Sequence, residues 1–132
     1  MPYEDLPPRA AYQRIEEGAA YVDVRTPGEF AEGHPQGALN IPMYLMGPVG
    51  MQPNPEFARV VRKHFEATAD LVVGCRSGVR SAHACQLLLH EGWEGRLVNV
   101  AGGFHGGRVR GWHDEGLPST TDTEGRTYDD LR

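Results

Sequence analysis

Lysine is nearly missing from this chain: of its 13 basic residues only Lys63 is a lysine, and the rest are arginine. Acidic residues outnumber them at 18, giving a formal net charge of −5. A general basic field is therefore absent, which excludes duplex nucleic-acid binding driven by counterion release. Any site for an anion has to be built locally. Two cysteines, Cys75 and Cys85, do not make a disulfide framework. No apolar run approaches the ~18–20 residues needed to span a bilayer, so no membrane partner is expected. The N-terminal stretch through Tyr12 is acidic and proline-rich, without a basic start, an apolar segment or a cleavage site. The expected location is the reducing cytoplasm. The six histidines form no i, i+4 pair, and there is no Cys-x-x-Cys, so neither a metal nor a cofactor is expected. Gly102-Gly103 followed by Gly106-Gly107 lacks the spacing and the downstream acid of a dinucleotide fingerprint.

What is present is ordinary for a globular chain of 132 residues, with 39% hydrophobic and 23% charged residues. The length fits one domain, spanning 1–132, with its core at about 6–118 and a polar tail over 119–132. Short β-like runs alternate with helical ones, the order of an α/β domain with a mainly parallel sheet. A first helix follows Pro7-Pro8 and stops at Gly18. Strands are expected at Ala19–Val24, Ala38–Ile41, Asp70–Val73 and Leu97–Val100. Thr26-Pro27-Gly28-Glu29 has the form of a capping box and starts a short helix. Residues 33–37 read as a turn and residues 43–54 as a loop rich in helix breakers. Asn54-Pro55 opens a helix with Phe57, Val60, Val61, His64 and Phe65 on one side. Another helix is expected at Val79–Glu91, then a final helix or coil through Trp112. The tail carries only Tyr128 and Leu131 as bulky apolar residues and reads as frayed or packed on the surface.

The chemistry concentrates in Leu71 to Ala82. An apolar strand ends, Cys75 follows directly, and a glycine-containing loop leads into a helix. Ligands of open parallel sheets bind beyond the carboxyl ends of the strands, where Cys75 falls. Consecutive loop N–H groups, the N-terminal end of the helix, and the charges of Arg76 and Arg80 all favour thiolate over thiol. Gly78 lets the backbone approach a bound anion. Cys85, mid-helix among Ala82, Ala84, Leu88 and Leu89, reads as a small buried hydrophobe. Asp23 and Arg25 end the first strand on the same side of the sheet and are expected to support the structure, pairing with each other or with loop residues. His34 reads as a hydrogen-bonded structural residue, and Arg108 and Arg110 as solvated surface.

Four motifs in order resemble the rhodanese-like domain family: Tyr21 to Phe30; His34 with Gly37-Ala38 and Asn40-Ile41-Pro42; Cys75 to Trp93; and Asn99 to Phe104 with Trp112 and Gly116-Leu117-Pro118. The likeness covers about residues 6 to 118. It implies a single α/β domain with a central, mainly parallel sheet of about four or five strands and helices on both faces. Two departures stand out: Pro35 replaces the usual hydrophobic residue after the histidine, and the stretch from Phe104 to Trp112 is longer than in most members.

The resemblance also implies a sulfurtransferase of thiosulfate type. Cys75 would take a sulfane sulfur from a small anionic donor such as thiosulfate, become a persulfide, and pass the sulfur to cyanide, a thiol or a protein. Arg76, Ser77, Gly78, Val79 and Arg80 would form the anion and persulfide cradle, with Ser81 capping the helix or adding a hydrogen bond. Two other readings stay open. A cysteine-dependent phosphatase or arsenate reductase is disfavoured by loop length, because Arg80 lies five residues after Cys75 where the phosphatase pattern needs six. A non-catalytic binding module is disfavoured by the retained cysteine and its basic neighbours.

Overall fold

The computed structural model describes residues 3–132. In chain order its elements are β1 (Glu4–Leu6), α1 (Pro8–Glu16), β2 (Ala20–Asp23), α2 (Pro27–Glu32), β3 (His34–Pro35), β4 (Leu39–Asn40), β5 (Tyr44–Gly47) and β6 (Gly50–Pro53). Then follow α3 (Phe57–His64), β7 (Leu71–Gly74), α4 (Val79–His90), β8 (Leu97–Val100), β9 (Ser119–Thr120) and α5 (Tyr128–Leu131). Five strands form the central sheet in the order β1-β8-β7-β2-β4, and every pairing is parallel. The expected α/β architecture is therefore present.

Side-chain alternation along the strands builds two cores, one on each face of the sheet. Val22, Leu71, Val73 and Leu97 point to the face covered by α3, α4 and α5. Tyr21, Val72, Val98 and Val100 point to the other face, with Ala11 of α1, Phe30 of α2, Phe104 and Trp112. Helical spacing does the same for α4, which buries Ser81, Ala84, Cys85 and Leu88 along one stripe. Continuing the period-two alternation from Leu71 and Val73 places Cys75 on the α4 face.

The capping box of α2 is formed: Thr26 Oγ1 accepts from the Glu29 amide, and the Glu29 carboxylate accepts from the Thr26 amide. Several other expectations are corrected. Residues 43–54 are not a plain loop, because β5 and β6 pair as an antiparallel hairpin from Tyr44↔Pro53 to Gly47↔Gly50. Proline and glycine breakers mark its turn rather than an absence of strand. The N-terminal residues before Pro7 supply β1, which pairs with β8 from Glu4↔Val98 to Leu6↔Val100. The span 33–37 holds β3, which pairs with β9 through His34↔Thr120 and Pro35↔Ser119. The tail is not frayed, since α5 buries Tyr128 and Leu131 against the main core. From Ala101 through Trp112 the chain runs in turns and coil, the second of the two forms expected there. Among the described residues no helix is long and apolar enough to cross a membrane.

Candidate active site

Cys75 follows β7 immediately, at the carboxyl edge of the sheet, and its side chain is 1% exposed. Around the sulfur, aliphatic packing gives way to hydrogen-bond donors. The Gly78 amide lies 3.1 Å from Sγ, the Ser81 amide 3.4 Å and Ser81 Oγ 3.3 Å. Gly78 is the N-cap of α4 with φ +110°, a left-handed conformation that glycine adopts without the Cβ penalty. That conformation turns its N–H inward toward the sulfur. The loop above is open to solvent at Arg76, Ser77 and Val79.

The chain after β8 holds this loop from outside. Phe104 N–H donates to the Cys75 carbonyl at 2.8 Å, and His105 N–H to the Arg76 carbonyl at 3.1 Å. Gly103 is required for this approach, because a Cβ there would lie 2.5 Å from the Cys75 and Arg76 carbonyl oxygens. Trp112 N–H in turn donates to the Gly103 carbonyl, anchoring the long 104–112 segment at its far end. A cleft lined by Glu32, Phe104, His105, His113 and Thr120 opens beside it. Burial, with the charges of Arg25 and Arg76, holds His105 below its ordinary range.

The two loop arginines are not equivalent. Arg76 is exposed and makes no ion pair among the described residues. Arg80 is held by Glu29 in a two-pronged pair, Nη1–Oε1 at 2.7 Å and Nη2–Oε2 at 3.0 Å. Burial pushes the Glu29 carboxyl upward, but hydrogen bonds from Arg80 and Thr26 outweigh it and bring its pKa down to about 2. Glu29 thus joins the cap of α2 to the cysteine loop. The sequence marked it only as a capping residue, because nothing along the chain links positions 51 residues apart.

Asp23 and Arg25 are each 1% exposed and pair with each other, Nε–Oδ1 at 3.0 Å and Nη2–Oδ2 at 2.7 Å. Arg25 also donates to the Gly33 carbonyl at 2.7 Å and lies 4.8 Å over the Phe104 ring. This pair therefore braces the end of β2 and the ring of Phe104, and makes no hydrogen bond to the cysteine loop. His34 is fully buried, bonds the Phe30 carbonyl through Nδ1 and stacks on the Phe30 ring. Cys85 is fully buried, and desolvation pushes its thiol up to about 12. Asn99, at the end of β8, accepts a hydrogen bond from Ser81 Oγ and donates to Asp5 Oδ1 and the Gly78 carbonyl. In the sequence it is a polar residue inside the apolar run Leu97 to Val100 and the first residue of the fourth motif, with nothing to mark Ser81 as its partner.

An open parallel sheet with a cysteine at its carboxyl edge, cradled by loop amides at a helix N-terminus, defines a class of α/β cysteine-loop domains. Within that class the chain belongs to the rhodanese-like domain family, whose model matches residues 7–108. It is 40% identical over 109 residues to Thiosulfate sulfurtransferase 16, chloroplastic, of Arabidopsis thaliana, covering 83% of this chain and 86% of that protein. It is 37% identical over 102 residues to a Sulfurtransferase of Allochromatium vinosum, covering 77% and 78% of the two chains. The chain spans 54% of the length of two other plant relatives that it matches. Among solved structures, Rv0390 from M. tuberculosis superposes with a TM-score of 0.76 at 25% identity, covering 91% of this chain and 99% of that one.

Proposed function

We propose that this chain is a thiosulfate-type sulfurtransferase with Cys75 as its nucleophile. The observation that carries the reading is the convergence of the Gly78 amide, the Ser81 amide and the Ser81 hydroxyl on Sγ. Donors placed this way stabilise a sulfur anion, first the thiolate and then the persulfide. In the first half-reaction the Cys75 thiolate attacks the outer sulfur of thiosulfate. A new S–S bond forms, the donor's own S–S bond breaks, and sulfite leaves with its electron pair. In the second, a nucleophilic acceptor such as cyanide, a thiol or a protein thiol takes the outer sulfur and the thiolate returns.

Arg76, whose guanidinium is unpaired among the described residues, meets the incoming dianion. Ser77, Gly78 and Val79 supply the curved backbone of the cradle, and Arg80 fixes that curve through Glu29. Cys75 is 1% exposed, so the loop residues over the sulfur have to give way for the donor to reach it. The names of two relatives, Thiosulfate sulfurtransferase 16, chloroplastic, and Thiosulfate sulfurtransferase 18, support the donor class.

The test is intact-mass analysis after incubation with thiosulfate. One added sulfur is expected on the wild type and none on Cys75→Ser. Cyanide should then remove it and yield thiocyanate. Hydrolysis of an aryl phosphate or reduction of arsenate, with no sulfur loading, would replace this reading with the phosphatase or reductase one. No covalent change under any of these conditions would leave a binding module.

A further inference from the structure

We propose that Asn99 is a positioning residue that competes with the Cys75 sulfur for the single proton of the Ser81 hydroxyl, and so sets how readily that sulfur becomes anionic. The inference rests on the sulfurtransferase reading for its use in catalysis, but its test does not.

The orientation of the Asn99 amide is fixed by two acceptors. Nδ2 donates to Asp5 Oδ1 at 2.9 Å and to the Gly78 carbonyl at 3.2 Å. Neither partner has a proton to give back, so Oδ1 is the atom turned toward Ser81. Oδ1 is only an acceptor, so the Ser81 hydroxyl has to donate to it. A hydroxyl has one hydrogen. While it points at Asn99, it offers Sγ, 3.3 Å away, only a lone pair. That suits the neutral thiol, whose S–H can donate to Ser81 Oγ.

When the thiol ionises, its proton leaves to solvent and the sulfur becomes a pure acceptor. The hydroxyl then turns to the sulfur and leaves Asn99 Oδ1 without its donor. Ser81 is fully buried and Asn99 is 5% exposed, so the forsaken oxygen is not fully rescued by water. The Gly78 and Ser81 amides serve the sulfur in both states. The hydroxyl serves it in one, and Asn99 opposes the change.

The other charged and titratable groups around the sulfur are Tyr21 and Asp23 on β2, Arg25 just beyond that strand, Arg76 next to the cysteine, Glu29 bound to Arg80, and Cys85 further along α4. None of them hydrogen-bonds to the Ser81 hydroxyl among the described residues. Asp5, from β1, reaches it only through Asn99.

The experiment follows the ultraviolet absorbance of the Cys75 thiolate against pH, taking the difference from Cys75→Ser so that the tyrosines and Cys85 cancel. Ser81→Ala should raise the midpoint by about half a pH unit, about threefold in the ionisation equilibrium, because the hydroxyl's bond to the sulfur outweighs the bond to Asn99 that it gives up. Asn99→Ala should lower it by a similar factor. The double variant should match Ser81→Ala alone, because without the hydroxyl Asn99 has nothing to withhold. Asp5→Ala at an exposed position leaves the packing intact. It should lower the midpoint by about 0.3 pH unit, about twofold in the ionisation equilibrium, through a less firmly held amide. The proposal is overturned if Asn99→Ala still lowers the midpoint in the Ser81→Ala background, if Ser81→Ala lowers it, or if Asp5→Ala leaves it unchanged. Sulfur loading, measured separately by mass, reports on the transferase reading, so either idea can fail alone.

Discussion

Replacing Glu29 by glutamine isolates the charge that holds the cysteine loop. Glutamine keeps a carbonyl oxygen able to accept from the Thr26 amide, so the cap of α2 survives. What is lost is the carboxylate facing Arg80 at 2.7 and 3.0 Å. The fall of the Glu29 pKa from its ordinary 4.5 to about 2 corresponds to about 3 kcal/mol of folding stability. The Glu29 side chain is 27% exposed, so solvent screening brings the expectation to about 2 kcal/mol. In a chain of this length that is a fall of about 6–10 °C in Tm. The sign with pH follows from the depressed value: the stabilisation is complete above about pH 4.5 and disappears as pH falls toward 2. Urea unfolding followed by tryptophan fluorescence at stepped pH should therefore show Glu29→Gln about 2 kcal/mol less stable at pH 7, with the gap closing across that window. A gap that stays constant from pH 7 to pH 3 would refute the ion pair as its source and leave packing in its place.

Three more outcomes follow from the geometry. In Cys75→Ser, Cys85 should resist iodoacetamide at pH 8 in the folded protein and take one label in urea, because burial both hides its thiol and pushes it to about 12; a label on the folded chain, read by intact mass, would contradict this. Gly103→Ala should cost about 3 kcal/mol in urea unfolding, from a left-handed φ of +59° and a Cβ 2.5 Å from the Cys75 and Arg76 carbonyls, and should lower sulfur loading with it. Leu131→Ala should cost about 2–4 kcal/mol by the same measurement, since α5 is part of the main core; a neutral result would show the tail to be dispensable.

The parallel sheet was legible because its strands are short apolar runs bounded by glycine and its helices carry apolar stripes at helical spacing. Val79–His90 and Leu97–Val100 lie within a residue of where those patterns put them. The capping box at Thr26 was legible for the same reason: it is a local device with a local signature. What escaped was long-range. The strand Glu4–Leu6 carries little apolar signal and exists because β8 offers it an edge. Likewise β3 and β9, two residues each, are defined by each other across 85 residues. The hairpin at 44–53 was hidden by its own turn residues. At the site, Cys75 and its loop are contiguous and stood out. Glu29 and Asn99 act on that loop from other elements, and a capping glutamate or a lone asparagine in a strand carries no mark of such a partner.

Each trans peptide plane sets its carbonyl and its N–H on opposite sides. Tying the oxygens of residues 75 and 76 outward to the amides of 104 and 105 therefore turns the N–H groups of Arg76 and Ser77 the other way. The polarity of the bowl is thus dictated by a neighbouring strip of backbone rather than by the side chains within it. The bonds that impose this polarity run from main chain to main chain, so a substitution at residue 104 or 105 that keeps the backbone path would leave the polarity of the loop as it is.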